Sequence, residues 1–126
     1  MDLRIDSHKL MFHPERVSSW LKGKPIYPIY LEISPSGACN HRCIYCALDF
    51  MEYQARFIDT KLLKKRLVEM GKLGVKSIMY AGEGEPLLHK DIIDIIRHTK
   101  DSGIDVALTT NGVLFTKELE EKTLPY

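Results

Sequence analysis

The sequence predicts an α/β protein with parallel strands, folded as an open sheet or as a barrel. Two observations carry that expectation. Short apolar runs rich in β-branched residues, at 29–34, 75–81 and 104–110, alternate with stretches of helical periodicity. Each run ends in a loop of unusual composition, and each loop leads into a helix start. Alternation of this kind needs right-handed crossovers between parallel strands.

Taken in order, "HPERVSSWLKG" (13–23) reads as a short helix. Pro14 suits its first position, Val17, Trp20 and Leu21 share a face, and Gly23 suits the exit. Trp20 is expected to be a packing anchor. Pro25 and Pro28 interrupt regular structure before the first strand, "IYLEIS", which stops at Pro35. Asp59 or Thr60 can cap a helix whose Leu63, Leu67 and Met70 recur at helical spacing and which ends near Gly74. The second strand, "VKSIMYA", runs into "GEGEPLLH". Asp91 can open the next helix, with Ile92, Ile95, Ile96 and Thr99 as its buried stripe and Gly103 near its close. "IDVALTT" is the third strand, "NG" follows, and Thr116 caps the last helix, "KELEEKTL".

Three loops therefore follow the carboxyl ends of three strands, the edge on which α/β folds assemble their sites. Three βα units are too few to close a barrel, and they leave strand edges unpaired. The expectation is a fragment, or part of a longer protein.

Composition excludes several classes. Eighteen Lys and Arg face 17 Asp and Glu, a formal net charge of +1 that offers no field for nucleic acid or an acidic membrane. The densest basic stretch, Lys61, Lys64, Lys65 and Arg66, reads as a solvated helix face. No apolar run approaches the roughly 20 residues of a membrane span, and the start lacks the shape of a secretion signal. A cytoplasmic, reducing location is the expectation. Hydrolase and nucleotide-binding fingerprints are missing: there is no G-x-S-x-G, no P-loop and no complete G-x-G-x-x-G.

All three cysteines lie in "GACNHRCIYC", as Cys39-x-x-x-Cys43-x-x-Cys46. In a reducing compartment such spacing favours metal ligation over disulfides, and an odd number leaves one thiol over. A structural zinc site wants four ligands, and an electron-carrying cubane wants four thiolates. Two readings stay open. Three thiolates can hold a [4Fe-4S] cluster with one iron left bare for an exogenous ligand. Alternatively, His41 completes a zinc site in a non-catalytic interaction module. His8, His13, His89 and His98, taken singly, read as surface or packing histidines.

The C-x-x-x-C-x-x-C spacing, the aromatic Tyr45 before the third cysteine and the strand before the first resemble the radical S-adenosylmethionine (SAM) superfamily. The second loop adds to the likeness. Gly84, Glu85 and Pro86 match that family's Gly-Gly-Glu-Pro-like element, with Glu83 where its first glycine is commonest. The resemblance covers residues from about 28 to the end. It implies a partial (β/α) barrel truncated to about three βα units, with residues 1–27 an N-terminal arm and 28–126 the N-terminal part of the core domain.

It also implies an enzyme. SAM would chelate the open iron through its amino and carboxylate groups. One electron would then cleave it to a 5′-deoxyadenosyl radical that abstracts hydrogen from the substrate. Cys39, Cys43 and Cys46 would be the cluster ligands. Tyr45 would lie against the adenine, or be a plain rim tyrosine. Gly84 and Glu85 would hold the methionyl ammonium, the glycine by close main-chain approach and the carboxylate by a charge-assisted hydrogen bond. Thr110 and Asn111 would contact SAM or substrate, or serve as an ordinary turn. Asp49, Tyr53 and Arg56 are candidates for lining a substrate pocket, or plain surface residues. The implied partners are a small-molecule or peptide substrate and an electron donor such as flavodoxin or ferredoxin.

Overall fold

A computed structural model of the chain describes residues 9–47, 50–52 and 54–124. A 3-10 turn at Lys9–Phe12 precedes α1 (Pro14–Leu21), and β1 (Tyr30–Ile33) follows. Next come α2 (Thr60–Lys72), β2 (Ser77–Tyr80), a 3-10 turn at Pro86–Leu88, α3 (Ile92–Asp101), β3 (Asp105–Leu108) and α4 (Lys117–Thr123). The strands form one parallel sheet in the order β1-β2-β3. Ile33, Tyr80 and Leu108 lie side by side at the ends of their strands, so the three loops leave from one edge.

Helices cover one face of the sheet. Ile78 and Tyr80 from β2 meet Leu63 and Leu67 from α2 and Ile92, Ile95 and Ile96 from α3, with Val75, Leu87 and Ile104 completing the core. Leu31, Ile33, Val106 and Leu108 pack against it from the outer strands. Strand periodicity turns Tyr30, Glu32, Asp105 and Ala107 to the other face, where they are exposed. The α3 stripe Ile92, Ile95, Ile96 and Thr99 is buried as its spacing predicts. Thr99 passes its hydroxyl proton to the Ile95 carbonyl and meets the Tyr80 hydroxyl at 2.6 Å, which satisfies both polar groups inside the core.

The caps are partly as expected. Asp59 Oδ1 accepts from the Leu62 N–H at 2.7 Å, and Thr116 Oγ1 accepts from the Leu119 N–H at 3.3 Å. Asp91 stands at the N-cap of α3, but its carboxylate takes the Thr60 hydroxyl at 2.6 Å and so joins α2 to α3.

Trp20 corrects the sequence reading. It is 62% exposed, and α1 buries no residue at all. The arm is tied down by a polar group instead: Arg16 donates to the carbonyls of Tyr27 and Gly74. The helical face with Val17, Trp20 and Leu21 has the right spacing for burial, yet the buried core is built from α2, α3 and the sheet without it. Neither 3-10 turn was legible, since each is a three- or four-residue segment without a period to read.

Candidate cluster and cofactor site

The loop after β1 is pinched at its base. Ser36 and Phe57 form an antiparallel bridge, the Gly37 N–H donates to the Arg56 carbonyl at 2.7 Å, and Ile58 N–H donates to the Pro35 carbonyl at 3.0 Å. The cysteines sit in the lobe above that neck. His89 braces it from the second loop: its Nδ1 accepts from the Asp91 N–H at 3.2 Å, which leaves Nε2 to donate to the Ile58 carbonyl at 2.9 Å. This histidine is 3% exposed and is a packing residue, as the sequence suggested. His98 likewise meets the Lys64 carbonyl, at 3.0 Å. Neither joins the cysteines.

Cys39 and Cys43 are half-buried and Cys46 is exposed, all three as free thiols. A turn brings the last two together, with the Cys46 N–H on the Cys43 carbonyl at 2.9 Å. The His41 N–H donates to Cys39 Sγ at 3.4 Å, a donor suited to a charged sulfur. Among the described residues no three His, Cys, Asp or Glu side chains converge as a metal-holding group. Metal sites of this kind gather their ligands on binding, because thiols gain nothing by converging without an ion between them. The donor set fits an iron–sulfur cluster: three thiols within one short lobe, with a backbone N–H already directed at one of them.

Tyr45 is 89% exposed, and its hydroxyl is within the influence of the Cys43 thiol, first through hydrogen bonding. That influence, with the charge of the neighbouring thiols, pushes its pKa above the usual tyrosine value. Arg56 lines a cleft of about 450 Å³ with Met51, Glu52, Gln54 and Glu83, between the cysteine lobe and the second loop. Asp49 and Tyr53 lie outside the described residues. A larger cleft of about 790 Å³ opens at the starts of α2 and α3, lined by Asp59, Lys61, Lys64, His89 and Asp91 among others; no cysteine lines it.

The second loop packs directly on the first. The Glu85 N–H donates to the Ala38 carbonyl at 2.8 Å. A Cβ on Gly84 would stand 2.2 Å from the Ser36 carbonyl oxygen and 2.6 Å from that of Ala38. The close approach that Gly84 permits is thus to the protein's own main chain. Gly82, which the motif match passed over, has φ +108, a conformation open to glycine alone at little cost. Its position straight after a strand was the available signal.

The carboxylate of Glu85 is 2% exposed and turned into the protein. It accepts from the Leu87 N–H at 3.0 Å, the Thr110 hydroxyl at 2.6 Å and the Asn111 N–H at 2.8 Å. The family resemblance puts this acidic group on a ligand ammonium; in the structure it faces the third loop. Asn111 in turn donates from Nδ2 to Asn40 Oδ1 at 2.8 Å and lies 4.0 Å from Cys39 Sγ. Asn40, which sequence reasoning did not single out, thereby links the cysteine lobe to the third loop. All three loops meet around Glu85 and Cys39.

Known proteins resemble this chain in sequence and in fold. Residues 33–124 match the Radical SAM superfamily. The chain is 39% identical over 93 residues to the GTP 3′,8-cyclase of Chlorobaculum tepidum, covering 72% of this chain and 28% of that protein. The probable GTP 3′,8-cyclase of Methanocaldococcus jannaschii is also 39% identical, over 73% of this chain and 31% of its own length. Among solved structures, Streptococcus suis SuiB bound to S-adenosylmethionine superposes with a TM-score of 0.67 at 26% identity, covering 97% of this chain and 29% of SuiB. BtrN in complex with AdoMet gives 0.69 at 23% identity over 79% of this chain and 42% of BtrN, a likeness of fold. The chain thus spans about three tenths of the length of the curated relatives it matches. Members of the matched family use a [4Fe-4S] cluster and SAM. With its parallel three-stranded sheet, its cysteine lobe and its glutamate-bearing second loop, the chain belongs to the radical SAM superfamily.

Proposed function

We propose that this chain forms the cofactor-binding part of a radical SAM enzyme. Cys39, Cys43 and Cys46 hold a [4Fe-4S] cluster, and SAM docks on the iron they leave open. When bound, the cluster supplies one electron that breaks the sulfonium S–C5′ bond, giving methionine and a 5′-deoxyadenosyl radical that takes a hydrogen atom from the substrate. The main chain at Gly84 and Glu85 receives the methionyl ammonium, Tyr45 lies along the adenine, and Thr110 and Asn111 contact SAM or substrate. Arg56 and Glu83 line the substrate side of the lobe. Residues 28–126 form the core portion, with 1–27 its arm.

The observation that carries this reading is the meeting of three loops at one sheet edge. Glu85 N–H reaches the residue before Cys39, and the Asn111 amide lies between Asn40 and the Cys39 sulfur. Scattered loop residues on an ordinary α/β surface would have no reason to converge on the cysteines.

The electron donor is a low-potential carrier such as flavodoxin or ferredoxin, and the compartment is the cytoplasm, where thiols stay reduced. No helix among the described residues is long and apolar enough to cross a membrane. The substrate is a small molecule or a peptide. The matched segment occurs in proteins named as GTP cyclases and in a protein solved with a precursor peptide, which supports reading it as a shared cofactor side of the machinery.

The test is anaerobic reconstitution with iron and sulfide, followed by reduction in the presence of SAM. Formation of 5′-deoxyadenosine together with methionine supports the proposal. Uptake of one zinc and no iron returns the site to the His41 alternative.

A further inference from the structure

The Glu85 carboxylate is committed before any ligand arrives. A carboxylate offers about four acceptor positions, and three here are taken by donors of the chain itself, from residues 87, 110 and 111. Hydrogen bonds to an ionised acceptor are roughly twice as strong as neutral ones, and this acceptor is almost wholly enclosed. An ammonium approaching from solvent would find one acceptor position left, on a side chain that is only 2% exposed.

What those donors hold in place is informative. Thr110 gives its hydroxyl proton to Glu85 and receives the Gly112 N–H at 3.1 Å. Asn111 gives its main-chain N–H to Glu85, while its Oδ1 receives the Val113 N–H at 3.0 Å. That last bond decides which way the carboxamide points. With Oδ1 engaged by Val113, Nδ2 faces Asn40 Oδ1 and the Cys39 sulfur.

We propose that Glu85 is a positioning residue: its enclosed carboxylate fixes the third loop so that the Asn111 carboxamide bridges Asn40 and the Cys39 sulfur. The inference rests on the reading of the cysteine lobe as a cluster site and goes further. The acidic group shapes the cluster's surroundings through Asn111, and any contact of Glu85 with the SAM ammonium is made by its main chain. A donor aimed at a cluster sulfur raises the reduction potential, so Asn111 tunes the centre.

Two measurements test this. In the cluster-free chain, backbone amide exchange at Asn111 is followed by NMR for the native protein and for Glu85→Gln, a variant of the same shape. Exchange at Asn111 is expected to be roughly tenfold faster in the variant, with far-UV circular dichroism unchanged, because the ionised acceptor is lost. In the reconstituted chain, Asn111→Ala is expected to move the cluster's midpoint potential to more negative values. Glu85→Gln should move it the same way, and the double variant should move it no further than Asn111→Ala alone. An unchanged Asn111 exchange rate in Glu85→Gln, combined with weaker SAM binding, would overturn the proposal and make the carboxylate a ligand group. Shifts that add in the double variant would overturn the route through Asn111. If the native chain takes up no iron, the cluster reading itself fails, while amide exchange still decides the tie between Glu85 and Asn111.

Discussion

Gly84 lies so close to Ser36 that a Cβ in its place would stand 2.2 Å from the Ser36 carbonyl oxygen. The contact is backbone against backbone, so no side chain can swing aside to relieve it. It presses the second loop onto the neck of the cysteine lobe, beside the Glu85 to Ala38 hydrogen bond of 2.8 Å. Gly84→Ala must therefore separate the two loops or strain them. Overpacking of this kind costs about 1–3 kcal/mol. We expect a lower urea midpoint and poorer iron uptake on reconstitution. Unchanged stability together with native iron content would contradict the packing role.

Tyr80 gives the protein an alkaline limit. Its ring is fully buried, and burial pushes its pKa up to about 12 from 10.0. The folded state therefore retains the phenolic proton at pH values where the unfolded chain has lost it. The associated stability is complete below pH 10 and falls as pH rises through 10 to 12, by up to about 3 kcal/mol. Tyr80→Phe loses the hydrogen bond to Thr99, about 1 kcal/mol at neutral pH, and should flatten this alkaline fall. Denaturation curves collected at pH 8, 10 and 11 for both proteins check it. Parallel losses with pH would remove Tyr80 as the cause.

Burial separates two residues that the sequence treated alike. Leu67 is fully buried between α2 and the sheet, whereas Trp20 is 62% exposed on α1. Leu67→Ala is expected to cost about 2–5 kcal/mol through lost burial and the cavity left behind. Trp20→Ala should stay within about 0.5 kcal/mol. Equilibrium unfolding ranks them directly, and a larger loss for Trp20 would mean that α1 is part of the core.

Cys43→Ala should abolish the brown colour and charge-transfer absorbance of the reconstituted protein, since two thiolates hold a cubane poorly. His41→Ala should leave both intact. A colourless native protein that carries one zinc and no iron, and loses the zinc on His41→Ala, would favour the zinc alternative.

Much of the fold was legible because its determinants are local. Asp59 caps α2 through its own third neighbour, Thr116 does the same for α4, and the α3 stripe repeats with the helical period. The cysteine spacing and the Glu85 loop were equally plain, being contiguous. What escaped notice depends on partners far along the chain. Asn40 and Asn111 are 71 positions apart, and nothing in either neighbourhood announces their hydrogen bond. The inward turn of the Glu85 carboxylate arises from donors 25 and 26 residues onward. Trp20 misled for the opposite reason: its local periodicity is good, but α1 buries none of its residues.

The most direct measurement is low-temperature electron paramagnetic resonance of the anaerobically reconstituted, dithionite-reduced chain, recorded before and after adding SAM. Our account predicts about four irons per chain and a [4Fe-4S] signal whose g-values change when SAM occupies the bare iron. A spectrum identical with and without SAM, in a protein carrying its full iron, would contradict the open coordination site on which the account depends.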